Sequence, residues 1–338
     1  MLRHTVFAIL FAGVTLMNSP AAEPAPASAR GLLLVANKGD QTVSFIEPAT
    51  GRQIATVKES GITTHELTAS PDGRTAYAPV YGNSGVGAPG SDGRTLDIID
   101  VASRRVVATL DFGRPVRPHC AMIGPRDGLL YVTTELTNSI DVIDPKTRQI
   151  VTQIPTGQPE SHMLAITRDG RRAYTSNVHV GTVSAVDLVA RKVIAVIPVS
   201  AHAQRIALSV DDHYAFTADQ TKPQLAVIDT GTNQVKTWIP LPALAYGTAP
   251  THDGKWLLVA LPNSGQVAVV DLATMKVART VDVPKSPQAV LVRPDGEVAY
   301  VSCHESKKVA AIDLKTWKVD KLIEAGPMAD GLAWARQD

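Results

Sequence analysis

The sequence predicts an all-β fold, a seven-bladed β-propeller of four-stranded antiparallel blades. Three observations favour this fold: short β-rich runs closed by turn residues, one spacing that recurs along the chain, and a spare strand at the C-terminal end. We therefore expect one ring of blades from residue 31 to residue 338, closed by the C-terminal strand.

The repeating unit is clearest in residues 117–151, RPHCAMIGPRDGLLYVTTELTNSIDVIDPKTRQIV. It contains four runs rich in β-branched and aromatic residues, separated by Gly, Pro, Asp and Asn. Such runs indicate consecutive antiparallel strands joined by tight turns. The other repeats are variants of this unit.

A fixed spacing links the second strand of each repeat to the acidic residue that ends its third strand. It is 13 positions in six repeats: Leu34 to Glu47, Tyr131 to Asp144, Tyr174 to Asp187, Phe216 to Asp229, Leu258 to Asp271 and Tyr300 to Asp313. In the remaining repeat Tyr77 and Asp100 are 23 positions apart, which indicates a ten-residue insertion. The acidic residues from Asp187 to Asp313 recur every 42 residues, a period typical of four-stranded blades.

Six repeats carry a turn related to SPDG between their first and second strands. The turns begin at Ser70, Pro125, Thr167, Ser209, Thr251 and Arg293. The N-terminal repeat has no such turn and starts at its second strand, Gly31 to Leu34, whereas Asp330 to Trp334 is a first strand with no blade after it. We expect this last strand to complete the first blade as its innermost strand.

The composition excludes several function classes. Lys and Arg number 33 against 32 Asp and Glu, so we expect no nucleic-acid partner and no acidic membrane surface. Two cysteines are too few for a disulfide framework, and the fold must depend on a packed core. The nearly neutral charge and the absence of a long apolar stretch in the mature chain favour a monomer.

The first 21 residues are predicted to be a signal peptide. Arg3 and His4 precede an apolar run from Val6 to Met17, and small residues follow at Ser19 and Ala21. Residues 22–30 are a Pro/Ala linker. We expect cleavage after position 21, no membrane anchor afterwards, and a periplasmic or secreted protein; an uncleaved anchor is the alternative, although the run is short for a bilayer.

Several segments share one motif: SPDGRTAYA, LLYVTTELTNSIDVIDPKT, RRAYTSNVHVGTVSAVDL, QVAVVDLAT and VAYVSCHESKKVAAIDLKT. On these segments the chain resembles the YVTN family of seven-bladed β-propellers, from Gly31 to Ala335. The resemblance implies the fold and leaves the function open, because related propellers serve as lactonases, haem d1 proteins, binding modules and surface-layer components.

Propeller topology predicts the face on which a ligand binds. The SPDG-type turns lie on the bottom face, so the innermost strands start at the top face, where the loops between second and third strands also lie. We call the residue at which each innermost strand leaves the top face its mouth residue. The predicted mouth residues are His65, His119, His162, Gln204, Tyr246, Gln288 and Asp330.

Three consecutive blades have histidine at the mouth: His65, His119 and His162. Imidazole binds zinc, copper and iron, and three protein ligands with an open fourth position describe a catalytic metal site. Without a metal, the same residues could act as a general base and as carboxylate-binding groups. They could also be solvated side chains of a water-filled channel, and the sequence leaves all three interpretations open.

The top loops add further candidates. Glu135 follows the second strand of its blade, as a catalytic base or as a group that orients a histidine. Tyr81 starts the glycine-rich insertion, residues 81–90, which could cover the channel as a lid. Arg117 suits an anionic ligand. Two histidines of other top loops, His179 and His304, are also predicted to contact a ligand.

The segment from Pro118 to Leu136 is similar to part of the seven-bladed lactonases, in which an inner-strand histidine is followed by Glu-Leu. That resemblance implies that His119 and Glu135 would lie near a lactone carbonyl. The haem d1 precedent implies that one of the three mouth histidines would be an axial ligand of the iron. Covalent c-type haem is excluded, because the chain has no Cys-x-x-Cys-His motif.

The sequence therefore favours an exported propeller that binds a small ligand at a histidine-lined site, with or without a divalent metal. The first alternative is a metal-dependent, lactonase-like hydrolase that uses the same site. Further alternatives are a scaffold for a periplasmic protein partner and a haem d1-related binding protein. The sequence does not decide whether the protein is an enzyme.

Overall fold

The computed structural model describes residue 1, residues 30–83 and residues 85–337. These residues form seven four-stranded antiparallel sheets arranged in a ring, which confirms the predicted seven-bladed β-propeller. The predicted signal peptide and linker, apart from their terminal residues 1 and 30, lie outside the described residues.

The strands of each blade run in chain order from the channel outwards, except that the last strand of the chain is the innermost strand of blade 1. Blade 1 contains β1 (Gly31–Asn37), β2 (Thr42–Glu47), β3 (Arg52–Lys58) and β28 (Ala329–Arg336). Blade 2 contains β4 (Thr68–Ala69), β5 (Thr75–Gly82), β6 (Asp92–Asp100) and β7 (Arg105–Asp111). Blade 3 contains β8 (Pro118–Ile123), β9 (Leu130–Thr134), β10 (Ser139–Asp144) and β11 (Gln149–Pro155).

The remaining four blades follow the same order. Blade 4 contains β12 (Ser161–Ile166), β13 (Arg172–Asn177), β14 (Thr182–Asp187) and β15 (Lys192–Pro198). Blade 5 contains β16 (Ala203–Leu208), β17 (Tyr214–Asp219), β18 (Gln224–Asp229) and β19 (Gln234–Pro240). Blade 6 contains β20 (Thr248–Pro250), β21 (Trp256–Leu261), β22 (Gln266–Asp271) and β23 (Lys276–Asp282). Blade 7 contains β24 (Pro287–Val292), β25 (Val298–Cys303), β26 (Lys308–Asp313) and β27 (Lys318–Glu324). Three short 3-10 turns occupy top loops: Glu135–Thr137, Pro262–Ser264 and His304–Ser306.

The chain ends close the ring as the sequence predicts. β28 pairs antiparallel with β1, with Gly31 opposite Arg336 and Asn37 opposite Ala329. The side chain of Asn37 also accepts the backbone N–H of Gly326 at 3.0 Å. Because both ends of the chain contribute to one sheet, no gap separates the first blade from the last.

The recurrent acidic residue has a local structural role. Asp229 Oδ1 accepts the backbone N–H groups of Gly231 and Thr232, each at 2.9 Å, in the turn between the third and fourth strands. Asp313 does the same for Lys315 and Thr316 at 2.9 and 2.6 Å. An aspartate that bonds its own backbone in this way favours a tight turn, which explains the repeated spacing.

The pairing of the first and second strands places the mouth residues at the top of the channel. The residue before the mouth pairs with the last residue of the second strand in five blades: Pro118 with Thr134, Ser161 with Asn177, Ala203 with Asp219, Pro287 with Cys303 and Ala329 with Asn37. The innermost strands of blades 2 and 6 are shorter, and His65 and Tyr246 precede them. Thr64, next to His65, forms an isolated bridge with Val80 of β5 ahead of β4, and its N–H bonds Glu59 Oε2 at 2.8 Å.

Candidate functional site

The three mouth histidines lie together at the top of the channel, against Tyr81. The ring centroids of His65 and Tyr81 are 4.4 Å apart, and those of His65 and His119 are 5.4 Å apart. His119 and His162 stack at 3.5 Å with an interplanar angle of 29°. All four side chains are buried, so the cluster belongs to the packed wall of the channel.

These histidines are not arranged as metal ligands. His119 and His162 present ring faces to each other, whereas a metal is bound by nitrogen lone pairs in the plane of each ring. Within residues 30–83 and 85–337, no group of three or more His, Cys, Asp or Glu side chains has the arrangement of a metal site. The geometry fits the metal-free interpretation better.

Glu135 is the acidic centre of this cluster. Its Oε2 accepts the hydroxyl of Tyr81 at 2.5 Å and lies 3.6 Å from Arg117 Nη1, while Oε1 lies 3.4 Å from His162 Nδ1. Burial alone would raise the pKa of Glu135, but the contacts with His162, Tyr81 and Arg117 outweigh it and lower the pKa. A buried carboxylate with three such partners is ionised and held in one orientation.

Arg117 attaches the inserted loop to the propeller. Its Nε donates to Asp92 Oδ1 at 2.6 Å, and its Nη2 donates to the backbone oxygen of Ala88 at 2.5 Å. The guanidinium also lies 5.8 Å from the ring centroid of Tyr81. Arg117 is therefore a structural clamp of the loop, and its donors are already occupied.

A second buried cluster crosses the channel below the histidines. Arg205 Nη1 donates to Glu66 Oε1, and Arg205 Nη2 donates to Asp330 Oδ1 at 2.9 Å. Lys38 Nζ lies 3.3 Å from Asp330 Oδ2, and the ring of Tyr246 lies 4.5 Å from the guanidinium of Arg205. The cluster contains two basic and two acidic side chains, so their numbers are equal.

Burial and neighbouring charges shift the pKa values of the two carboxyl groups of this cluster in opposite directions. Burial raises the pKa of Glu66, and the charge of Arg205 offsets only part of the increase. Burial would also raise the pKa of Asp330, but Lys38 and Arg205 outweigh it and lower the pKa. Asp330 is therefore ionised at neutral pH and contacts both bases.

A cavity of about 320 Å³ opens at the top of the channel beside both clusters. Its lining residues are Lys38, His65, Gly85, Val86, His162, Val178, His179, His202, Gln204, Gln220 and Tyr246. Five of these side chains are bases and none is acidic. Burial is the first cause that lowers the pKa of His65 and of His162, so both are neutral at pH 7.

Of the eight predicted ligand-binding residues, three line this cavity, three (Tyr81, Arg117 and Asp330) belong to the buried clusters beside it, and two lie elsewhere. Gln288 contacts a neighbouring pocket of about 220 Å³ and donates to Ser286 Oγ at 3.1 Å. His304 does not line the central cavity, and its Nδ1 is buried without a hydrogen-bond partner. Gln204, Tyr246 and His179 do line the cavity.

Two lining residues were missed by the sequence analysis. Lys38 and Gln220 both lie between the second and third strands of their blades, in the loops that the repeat assigns to the top face. This loop position is the sequence signal that identifies both residues as candidates. His202, in the loop before β16, also lines the cavity and stacks edge-on against His179, with ring centroids 4.9 Å apart.

Larger concave regions lie on the opposite face. Two adjoining grooves of about 590 and 540 Å³ share His252, Asp253 and Trp256 of the blade 6 bottom turn and its following strand. They are wide and lined by side chains of both charges, without a convergent cluster of buried polar groups. We therefore place the candidate site at the top cavity.

The comparisons with known proteins support the fold. The family model described as Cytochrome D1 heme domain matches residues 124–251, from the bottom turn of blade 3 to that of blade 6. Kuenenia stuttgartiensis Hydrazine Synthase is similar in structure, with a TM-score of 0.73 and 19% identity over 91% of this chain and 100% of that chain. A functionally unknown protein from Desulfotomaculum acetoxidans DSM 771 has a TM-score of 0.74 and 14% identity over the same shares. No curated protein matches the sequence.

These findings confirm the resemblance to seven-bladed, cytochrome d1-like propellers that the repeat motifs indicate. At such identities the solved structures establish the fold alone. In the part of the chain that the structure describes, no helix has the length and apolar character needed to cross a membrane.

The residues present do not fit a haem d1 group. His162 is the mouth histidine inside the matched segment, but it is 2% exposed and enclosed by Tyr81, His119 and Gln204, so a tetrapyrrole could not reach its Nε2 without displacing these side chains. The cavity of about 320 Å³ is at the small end of ligand pockets, and a tetrapyrrole is far wider than a single side chain. We therefore derive no function that depends on haem.

Proposed function

We propose that this chain is a binding protein for a small organic anion, which it holds in the cavity at the top of the central channel. The observation that carries the proposal is that the cavity wall contains Lys38 and four histidines, and that no carboxylate side chain is among its lining residues. Closed propellers usually bind ligands at this mouth, where loops of several blades meet.

Lys38 provides the charge for such a ligand. Its side chain is 22% exposed, and Asp330, its counter-ion, is shared with Arg205. The amino group therefore keeps donors free for a carboxylate that enters the cavity. The nearby amide groups of Gln204 and Gln220 can donate further hydrogen bonds, and because they are uncharged they bury no additional charge.

The proposal does not include a divalent zinc, copper or iron ion, because the mouth histidines stack instead of converging. It also does not include lactone hydrolysis by His119 and Glu135. Both carboxylate oxygens of Glu135 already face Tyr81, Arg117 or His162, and the ring of His119 is 2% exposed. No single observation favours a protein-interaction scaffold over small-molecule binding.

Calorimetric titration of the purified protein with a panel of small anions tests this function. The panel consists of acetate, glycolate, lactate, pyruvate, succinate and phosphate, with acetamide and lactamide as uncharged counterparts. We expect at least one carboxylate to bind and its amide to bind at least tenfold more weakly. Binding should fall in Lys38→Met and persist in the control Lys255→Met, whose lysine is exposed on the bottom face. Equal binding of acids and amides, or no binding, would contradict the proposal.

We also propose that the protein acts outside the cytoplasm as a monomer. The basis is the basic and apolar pattern of residues 1–21 and the nearly neutral charge of the chain. Expression with the natural N-terminus, followed by fractionation, N-terminal sequencing and measurement of the mass in solution, tests both statements. A cytoplasmic protein that retains residue 1 would contradict the first, and a stable dimer the second.

A further inference from the structure

Two buried polar atoms of the site face each other and have no other partner. Glu135 Oε1 and His162 Nδ1 are 3.4 Å apart, and neither atom makes a hydrogen bond elsewhere among the described residues. A carboxylate oxygen can only accept, so the contact is favourable when the imidazole proton is on Nδ1. The arrangement favours the tautomer of His162 with its proton on Nδ1, as a neighbouring carboxylate does in other histidine pairs.

The second nitrogen of His162 is then a hydrogen-bond acceptor on the cavity side. Nε2 lies 3.4 Å from Gln204 Nε2, and both residues line the cavity. The same amide nitrogen also lies 3.2 Å from the hydroxyl of Tyr246, so it is shared between two acceptors. A contact this long leaves the Nε2 lone pair available to a stronger donor.

The packing prevents His162 from escaping this arrangement. Its side chain is 2% exposed, and the ring of His119 lies against one of its faces at 3.5 Å. Rotation of the ring would place a C–H against the carboxylate of Glu135 and leave a buried ionised oxygen without a donor, which is costly. Glu135 itself is held by Tyr81 and Arg117. The acceptor is thus pre-positioned before a ligand arrives.

We propose that the ligand of this cavity is a hydroxylated anion, whose hydroxyl donates a hydrogen bond to His162 Nε2 while its carboxylate is held by the basic lining residues. This inference rests on the proposed function and makes it more specific. A site with a positioned acceptor discriminates against an analogue that lacks the hydroxyl, because the acceptor then loses its water partner without gaining another.

Matched acids that differ by one hydroxyl test the inference: glycolate against acetate, and lactate against propionate. Calorimetry at pH 7.5, where all four acids are fully ionised, should show that each hydroxy acid binds about tenfold more tightly than its partner. Anion binding with no preference for the hydroxy acids would overturn this inference and leave the proposed function intact. Binding of none of the anions would overturn both.

Two variants separate recognition by His162 from general effects on the cavity. His162→Phe retains a ring that can stack on His119 but removes the acceptor, so the tenfold preference should disappear while acetate still binds. Val178→Ala, which alters an apolar lining residue, should keep the preference. Loss of the preference in the second variant but not in the first would overturn the assignment.

The tautomer of His162 can be measured directly in case the phenylalanine variant fails to fold. In the wild-type protein labelled with ¹⁵N-histidine, the imidazole resonances of His162 should show a protonated Nδ1 and an unprotonated Nε2. The signals can be assigned by their absence from His162→Gln. A protonated Nε2 with a free Nδ1 would overturn the inference, since the cavity would then present a donor to the ligand.

Discussion

Arg205 in blade 5 reaches across the central channel and donates to the carboxylate of Glu66, which is 139 positions away and precedes the innermost strand of blade 2. The same guanidinium also bonds Asp330 of the closing strand at 2.9 Å. One side chain therefore links blades 1, 2 and 5 below the candidate site. The link holds the wall of the cavity through buried charged side chains.

Arg205→Met should destabilise the protein strongly. The substitution leaves two buried carboxyl groups with Lys38 as their one nearby base in the cluster, and removal of one partner from a buried ion pair typically costs about 3 to 5 kcal/mol. Urea denaturation followed by circular dichroism measures the loss.

Glu66→Gln in the Arg205→Met background is the informative control. It removes one of the uncompensated carboxyl groups and should recover part of the stability. Equal stability of the wild type and Arg205→Met would show that the cluster does not contribute to folding.

Glu59, a buried glutamate bonded to Thr64 next to the mouth residue His65, gives the protein a specific dependence on pH. Burial raises the pKa of Glu59 to about 7, although the N–H of Thr64 bonds its Oε2 at 2.8 Å; its Oε1 has no partner among the described residues. Between the ordinary value of 4.5 and about 7, the folded state binds a proton that the unfolded state has lost. The contribution of this group to stability therefore decreases as pH rises through that window.

Glu59→Gln should remove that dependence. We expect the variant to exceed the wild type by about 2 to 3 kcal/mol at pH 8 and to differ little from it at pH 4.5. Urea denaturation at both pH values tests this, with exposed Glu305→Gln as the control. A difference between variant and wild type that is constant across pH would contradict the raised pKa.

The architecture was predictable because the spacing of the repeat reflects the local hydrogen bonds of the blade turns. The aspartate that ends the third strand in six of the blades bonds its own turn, as Asp229 does, and this explains why its spacing survives while other positions vary. The late start of the first repeat and the extra run at Asp330 predicted the pairing of β28 with β1. The turn aspartates depend only on residues nearby in the sequence, and the pairing of β28 with β1 follows from the general way in which propellers close their ring.

The sequence predicted the face of the propeller on which the candidate residues lie, but it did not predict most of their side-chain contacts. The repeat placed His119 and His162 at the same face, but their stacking depends on side-chain packing between blades, which spacing does not contain. The partners of Arg205 lie on distant parts of the ring, so the sequence did not single out Glu66 among possible partners. Lys38, in contrast to the partners of Arg205, was predictable from the sequence, because its position between a second and a third strand places it on the top face.

Arg117 should control the motion of the inserted loop. It bonds Asp92 at 2.6 Å and the backbone oxygen of Ala88 at 2.5 Å, and few other side chains hold this segment. In Arg117→Gln we expect amide hydrogen exchange in residues 85–92 to increase about tenfold, because local opening loses about 1.4 kcal/mol. Mass spectrometry of peptides from this loop measures the exchange rates.

The matched control is Arg114→Gln, which changes an exposed arginine in the same connection between blades. It should leave the exchange rates of the loop unchanged. Similar rates in Arg117→Gln and the wild type would show that the loop is held by its own backbone contacts.

Removal of the closing strand should abolish the native fold. β28 is the innermost strand of blade 1, and it buries Ala329, Leu332, Ala333 and Ala335 against the neighbouring blades. A chain that ends at residue 328 also lacks Asp330, which leaves Arg205 without one of its two carboxylate partners. The loss should exceed the roughly 5 to 15 kcal/mol by which folded domains are stable. Circular dichroism and size-exclusion chromatography should show an unfolded or aggregated protein, whereas a chain that ends at residue 336 should remain folded. A cooperative thermal transition in the shorter chain would show that six blades and an incomplete seventh are stable without closure of the ring.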